Sequence, residues 1–202
     1  MKHSTYTLKL ILGSQSSRRK EILSFFSLPF TQIPSRFVEE NVPFLGDPAL
    51  FVTEIAKGKA LDLAEQYPEA LILTADTTVY MKGKVYGKPT TEEEAFVALS
   101  ELAGQWHSVF TGLVLIGRNG QLFECSEETR VLFNSLTPQE IRHYHTQLHW
   151  ADKAGGYAIQ MAGGLIVKKI DGCYYNVMGL PINALRTLLL KTGIELWDYL
   201  KQ

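Results

Sequence analysis

The sequence is short of most features that would mark a specialised class of protein. It holds only two cysteines, Cys125 and Cys173, far apart and without a Cys-x-x-Cys spacing. That argues against a disulfide framework or a zinc site and leaves two buried free thiols as the expectation. Net charge is −1 over 202 residues, so no global basic field recruits nucleic acid, and no aromatic–basic patch offers a local substitute. No apolar run approaches the length of a membrane span, and no secretory leader is apparent. With the cysteine usage, this points to a reducing cytoplasm. A Gly-x-Gly-x-x-Gly fingerprint and a Walker A loop are both missing, against a Rossmann dehydrogenase or a P-loop ATPase. No Gly-x-Ser-x-Gly elbow or paired Cys and His supports covalent nucleophilic catalysis. Repeats, low-complexity tracts and long linkers are absent too. What remains, 46% hydrophobic and 20% charged, is an ordinary globule: one large domain, or two small lobes sharing a core.

Strand and helix patterns alternate along the chain. Thr7 to Leu12 reads as a buried strand and Glu21 to Phe26 as the inner face of a helix. Asp47-Pro48 starts a helix that runs through Val52, Ile55, Ala56 and Lys59 toward Ala64. Leu71-Ile72-Leu73 is a second buried strand, ending at Thr74-Ala75-Asp76-Thr77-Thr78, and Lys82-Gly83 turns a hairpin. Thr91 with Glu94 forms a capping box for a helix that stops near Ala103-Gly104. Val109 to Ile116 and Gln121 to Phe133 are two long strands joined at Asn119-Gly120. Thr137-Pro138 opens another capped helix. An Asp171-Gly172 turn lies between Leu165–Ile170 and Tyr174–Val177, and a last helix begins near Pro181. The mixture predicts a mixed α/β sheet with antiparallel hairpins rather than a doubly wound one.

The densest segment is Gly13-Ser14-Gln15-Ser16-Ser17-Arg18-Arg19-Lys20, between a strand and a helix. Unpaired amides at a helix start favour an anion, and arginines add bidentate phosphate contacts. The segment therefore suits a polyphosphate, though a plain serine cap followed by solvated arginines explains it equally well. Asp76, just past a buried strand, can hold a divalent cation or orient a water, or simply shape a turn. Lys88 sits in Gly87-Lys88-Pro89, which can aim its ammonium at a phosphate or leave it in solvent. Lys59 lies beside Ala56 and Ala60, facing partly inward, with a snorkelling stem as the alternative. Glu39 offers a second carboxylate toward a metal, or is a loop residue. In Asp152 to Gln160 the Gly155-Gly156 pair permits close backbone approach, Tyr157 is core or base-stacking, and Gln160 can donate to and accept from a base edge. Asn176 reads as structural. His145 and His149 share an i, i+4 spacing but lack the glutamate of a zinc helix, so an exposed helix face is expected.

Taken in order, these segments resemble the Maf family of nucleotide pyrophosphatases. The matching stretches are Ser14-Gln15-Ser16-Ser17-Arg18-Arg19 with Glu21-Ile22-Leu23, Glu39, Ala56 to Ala60, Ala75-Asp76-Thr77, and Gly87-Lys88-Pro89. Gly104 to His107 with Thr111-Gly112, Asp152 to Gln160, and Ile170 through Pro181 complete the set. The resemblance implies a mixed α/β fold with a curved central sheet, flanking helices and two lobes around a cleft, shared with inosine-triphosphate pyrophosphatases. It implies metal-dependent hydrolysis of a nucleoside triphosphate to a monophosphate and pyrophosphate, with Mg²⁺ or Mn²⁺ held by Glu39 and Asp76. Asp76 matches the family's catalytic aspartate and proton acceptor; Glu39, Lys59 and Lys88 match its other charged cleft residues. Ser14, Ser16, Arg18 and Arg19 would line the phosphates. Arg18, Thr77 and Gln160 match the subgroup acting on dTTP and UTP, which argues against an inosine-triphosphate scavenger. Ala158 in place of a usual glycine and Thr78 in place of an aliphatic residue are mild departures. A nucleotide sensor of cell division without catalysis is the rival from another class, and a homodimer is left open.

Overall fold

The computed structural model describes residues 9–201, so Thr7 and Leu8 of the first expected strand lie outside the described residues. In chain order the elements are β1 (Leu10–Gly13), α1 (Ser17–Leu23), β2 (Phe30–Gln32), α2 (Pro48–Gln66), β3 (Leu71–Met81), β4 (Lys84–Tyr86), α3 (Glu92–Leu102), β5 (Trp106–Ile116), β6 (Leu122–Phe133), α4 (Pro138–Gln147), β7 (Val167–Asp171), α5 (Tyr174–Val177) and α6 (Ile182–Leu190). One open seven-stranded sheet runs β2-β1-β3-β5-β6-β7, with β4 also paired to β3. β1 is parallel to β2 and β3; the other pairs are antiparallel. This is the mixed α/β sheet that the alternation of elements predicts.

The side-chain period of two divides the sheet's two faces. Leu10, Leu12, Leu71, Leu73, Ala75, Leu113 and Leu115 pack with Ile22 and Leu23 of α1 and with Leu185, Leu188 and Leu189 of α6. Ile11, Ile72, Val114 and Ile116 pack with Ala56, Ala60 and Leu63 of α2. A third cluster joins the far ends of β3, β5 and β6 to Leu99 and Leu102 of α3 and Ile141 of α4. Helix α2 is capped by Asp47, whose Oδ1 accepts from the amides of Ala49 and Leu50 at 2.9 and 3.2 Å. It lies directly on β5: a Cβ at Gly112 would meet the Thr53 nitrogen at 2.6 Å. Only glycine there lets the helix backbone come so close.

The interruption that matters is on the edge of β3. Its pairing with β1 ends at Gly13 opposite Thr74, and its pairing with β4 begins at Val79 opposite Tyr86. Between them, Ala75 to Thr78 have a strand neighbour only on the β5 side. β1 and α1 stand on one side of that gap and β4 with α3 on the other.

Several local expectations change. Asp76 lies within an 11-residue strand, not past its end, because β5 pairs with β3 as far as Tyr80. Thr91 caps α3, but the Glu94 carboxylate turns back to the amide and hydroxyl of Thr90 instead of closing a box on Thr91. The Thr137–Glu140 box does close. Tyr174–Val177 is a short helix. The two cysteines are free but only half-buried. His145 is buried, with Nε2 3.1 Å from the Gly156 carbonyl, while His149 falls beyond the end of α4.

His107 on β5 is also core: 3% exposed, with Nε2 2.9 Å from the Tyr157 hydroxyl and the ring edge-on to Phe133. Burial pushes its pKa from 6.5 down to about 4. Between those values the unfolded chain binds a proton that the folded chain refuses, so stability is lost as pH falls through that window. The loss attributable to His107 is up to about 3 kcal/mol at 1.36 kcal/mol per pH unit. Denaturant midpoints should therefore fall from neutral pH toward pH 4, and His107→Phe should flatten the slope. An unchanged slope in that variant would contradict the assignment.

Candidate active site

The β1–α1 junction is built by its own serines. Ser16 is the N-cap of α1, its Oγ accepting from the Arg19 amide at 3.3 Å. Ser14 Oγ accepts from the Ser16 amide at 3.1 Å and from Arg19 Nη1 at 3.3 Å. Gln32 on β2, which sequence reasoning passed over, donates from Nε2 to the carbonyls of Ser14 and Ser16 at 2.8 and 3.2 Å. Neither arginine is simply solvated. Arg18 forks onto Asp152, Nη1 to Oδ2 at 2.9 Å and Nη2 to the main-chain carbonyl at 3.1 Å. Arg19 donates from Nε to the Gly179 carbonyl at 2.8 Å and from Nη2 to Thr77 Oγ1 at 2.9 Å. Burial lowers the Arg19 guanidinium, Asp76 pulls it back up, and Arg18 beside it lowers it again; a guanidinium stays charged regardless.

On the opposite face of β3, Thr74 and Asp76 point toward α2. Thr74 Oγ1 donates to the Ala56 carbonyl at 2.6 Å. One helical turn on, Lys59 reaches Asp76: Nζ is 2.8 Å from Asp76 Oδ1 and 2.7 Å from Glu39 Oε1. Lys59 is 8% exposed and Asp76 7%, so the inward reading of Lys59 holds and the snorkelling alternative does not. Glu39 arrives on a helical turn, Glu39–Asn41, two residues after Phe37. The Phe37 ring lies on Gly58 of α2, where a Cβ would meet it at 2.3 Å.

The electrostatics split the two acids. Burial raises the Asp76 carboxyl, and the nearby charges of Lys59 and Arg19 only partly offset it, so its pKa lies above the ordinary aspartate value. Burial also works against ionised Glu39, but there Lys59, by charge and hydrogen bond, with Lys88 and Arg19 further off, wins and lowers it. One carboxyl is thus held firmly ionised and its neighbour is made more basic, the arrangement expected of a proton acceptor beside a fixed charge.

These groups border one cleft of about 460 Å³ at the gap in β3. Ser14, Ser16, Arg18, Arg19, Glu39, Lys59, Asp76, Thr77, Lys88 and Gln160 all line it, so every expected site residue converges there. Lys88 is exposed at its rim, and Gln160 is half-buried. Asp152 and Gly179 also line it; the sequence offered no sign that they would hold the two arginines. Tyr157 lines it too, but its ring is buried between His107 and Phe133. Among the described residues no three of His, Cys, Asp and Glu gather for a metal. Two carboxylates, each with an oxygen not engaged by Lys59, instead suit a hard cation that completes its shell with water and phosphate oxygens.

Removing Lys59 would leave Asp76 buried beside no ammonium, a change that typically costs about 3–5 kcal/mol. Lys59→Met should show a loss of that size at neutral pH. The loss should shrink as pH falls toward the aspartate range, because a protonated Asp76 needs no cation. A variant as stable as the parent at neutral pH would contradict the buried triad.

Residues 9–192 match the sequence profile of the family described as "Maf-like protein". The "dTTP/UTP pyrophosphatase" of Chlamydia caviae is 48% identical over 193 residues, spanning 95% of this chain and 98% of that protein. The protein of the same description from Clostridium tetani is 40% identical over 192 residues, spanning 94% of this chain and 100% of its own length. The "Nucleoside triphosphate pyrophosphatase" of Chlamydia muridarum is 42% identical over 193 residues, with 95% and 98% covered. Among solved structures, the Ham1 protein of Staphylococcus aureus aligns over 91% of this chain and 99% of its own at a TM-score of 0.50 and 12% identity, a likeness of fold alone. With its profile match over most of the chain and relatives this similar over nearly its full length, the chain belongs to the Maf-like family.

Proposed function

We propose that this protein hydrolyses dTTP and UTP to the monophosphate and pyrophosphate. The observation that carries it is the convergence, in one cleft, of Arg18, Arg19, Lys59 and Lys88 with the two carboxylates Glu39 and Asp76, in a chain 48% identical to a dTTP/UTP pyrophosphatase. The triphosphate lies against the Ser14–Arg19 loop, with Arg19 and Lys88 offsetting its charge, while Lys59 balances the two carboxylates beside it. Asp76, made more basic by burial, orients a water and takes its proton as the oxygen attacks the α-phosphorus. Pyrophosphate leaves toward the cations. Mg²⁺ or Mn²⁺, held by Glu39, Asp76 and phosphate oxygens, would add neutralising charge when bound. The rest is positioning and electrostatics supplied by the side chains.

The base is read by Thr77 and Gln160. Thr111 Oγ1 donates its single hydrogen to the Asn176 carbonyl at 3.0 Å, so in the 2.9 Å contact between Thr77 and Thr111 the donor is Thr77. Toward a substrate the Thr77 hydroxyl therefore offers only a lone pair. Thymine and uracil present an N3–H that such an acceptor takes; cytosine presents an unprotonated N3 that it repels. Gln160 supplies the complementary donor and acceptor. Ser14 and Ser16 shape the phosphate loop through the bonds described above.

Two measurements test this. Asp76→Asn should fold and lose activity by roughly the 10²–10⁴-fold that general-base assistance supplies, and the acid limb of the parent's rate profile should lie above the ordinary aspartate range; near-parental turnover in the variant would refute the role. Across dTTP, UTP, dCTP and GTP with Mg²⁺ or Mn²⁺, pyrophosphate should be released fastest from the first two, and Thr77→Val with Gln160→Ala should alter that ranking. No pyrophosphate from any of them would favour a nucleotide sensor.

A further inference from the structure

We infer that Thr111, a strand residue wholly inside the protein and outside every substrate contact, is a positioning residue for the reaction. It acts through Thr77 to aim the Arg19 guanidinium. This rests on the function proposed above.

The register makes the contact unavoidable. Leu71 N donates to the Lys9 carbonyl, so odd-numbered residues of β3 turn their main-chain polar groups toward β1 and the gap. On the β5 side they form the non-hydrogen-bonded pairs, in which facing side chains come closest. Thr77 and Thr111 are such a pair, and their hydroxyls meet at 2.9 Å. Both sit on the face of the sheet that carries Arg19.

The direction of the chain is fixed by counting hydrogens. A guanidinium only donates and a carbonyl only accepts. Arg19 Nη2 donates to Thr77, Thr77 to Thr111, and Thr111 to the Asn176 carbonyl. Each hydroxyl gives its one hydrogen onward and receives one from behind, so all three bonds are polarised the same way and strengthen one another. The far end is held in the core. Asn176 is fully buried, its Nδ2 donating to the Val109 carbonyl and to Thr129 Oγ1, both at 3.0 Å. Thr129 in turn accepts from the Cys173 amide at 3.0 Å. The relay thus ties a half-buried cleft arginine to the interior of β5 and β6. The Gly179 carbonyl, which takes Arg19 Nε, follows from the same turn, since Gly179 N donates to the Asn176 carbonyl at 2.9 Å.

If the relay aims a group that acts in the transition state, its loss should appear in kcat and not in ground-state binding, where the charge alone suffices. Thr111→Val keeps the shape and removes the hydroxyl. For dTTP, kcat per active site, with sites counted by nucleotide binding, should fall about tenfold, the value of one hydrogen bond of ordinary strength. KM should change less than about threefold, and Thr111→Ser should restore kcat to within about threefold of the parent. In a Thr77→Val background the same Thr111→Val change should cost less than about twofold, because the link it would break is already gone. Parental kcat per site in Thr111→Val, an unrescued loss in Thr111→Ser, or an undiminished loss in the Thr77→Val background would each overturn the inference. Should Thr111→Val fail to fold, Thr111→Ala assayed in the cold carries the same expectations. A parent enzyme that releases no pyrophosphate would instead refute the proposed function and leave Arg19's anchoring as a matter of structure.

Discussion

The Lys59 ammonium between two carboxylates is the interaction on which the site depends. Placing an ammonium and a carboxylate in a protein interior costs several kcal/mol for each ion. Here the cost is offset because Asp76 and Glu39 bind one nitrogen at 2.8 and 2.7 Å. The triad needs three elements at once: the middle of β3, the fourth turn of α2, and the helical turn after Phe37. Gly112 lets α2 onto the sheet and Gly58 admits the Phe37 ring. A single added methyl group at either position would displace a charged partner rather than merely loosen a core.

The second constraint is the missing strand neighbour along Ala75–Thr78. Asp76 and Thr77 are consecutive in an extended strand and so point to opposite faces of the sheet. In a continuous sheet, what Asp76 gathers and what Thr77 gathers would be separated by a layer of backbone. Because β1 stops and β4 starts later, the acidic cluster on the α2 face and the arginines on the α1 face meet around an open edge. A ligand lying along that edge would face carboxylates on one side and cationic charge on the other.

The sequence made much of this legible for identifiable reasons. Capping residues such as Asp47 and Thr137, and the turn residues at Lys82-Gly83 and Asn119-Gly120, act locally, so their meaning does not depend on the rest of the chain. The inward lysine was legible because a charged side chain on an apolar helix face is costly without a partner. The partner itself was not, since nothing local says that residue 59 faces residues 39 and 76. The end of β3 is not legible locally, because Thr74-Ala75-Asp76-Thr77-Thr78 is polar enough to resemble a loop; pairing with β5, decided elsewhere in the chain, keeps it extended. The burial of His145 is not legible locally for a similar reason: its spacing fits an exposed helix face, and only the fold brings the Gly156 carbonyl to it. Gln32, which holds the Ser14–Ser16 main chain, has no sequence context that distinguishes it from a solvated side chain, and Asp152 opens a distinctive segment in which nothing local says that it binds Arg18.

The most direct test of the whole account is where the oxygen of water ends up. Turnover of dTTP in water labelled with heavy oxygen, followed by mass analysis of both products, identifies the phosphorus attacked. A water directed by Asp76 at the α-phosphorus predicts label in the nucleoside monophosphate and none in pyrophosphate. Label in pyrophosphate, or hydrolysis to a diphosphate and orthophosphate, would mean that the acids and cations of this cleft are arranged around a different bond.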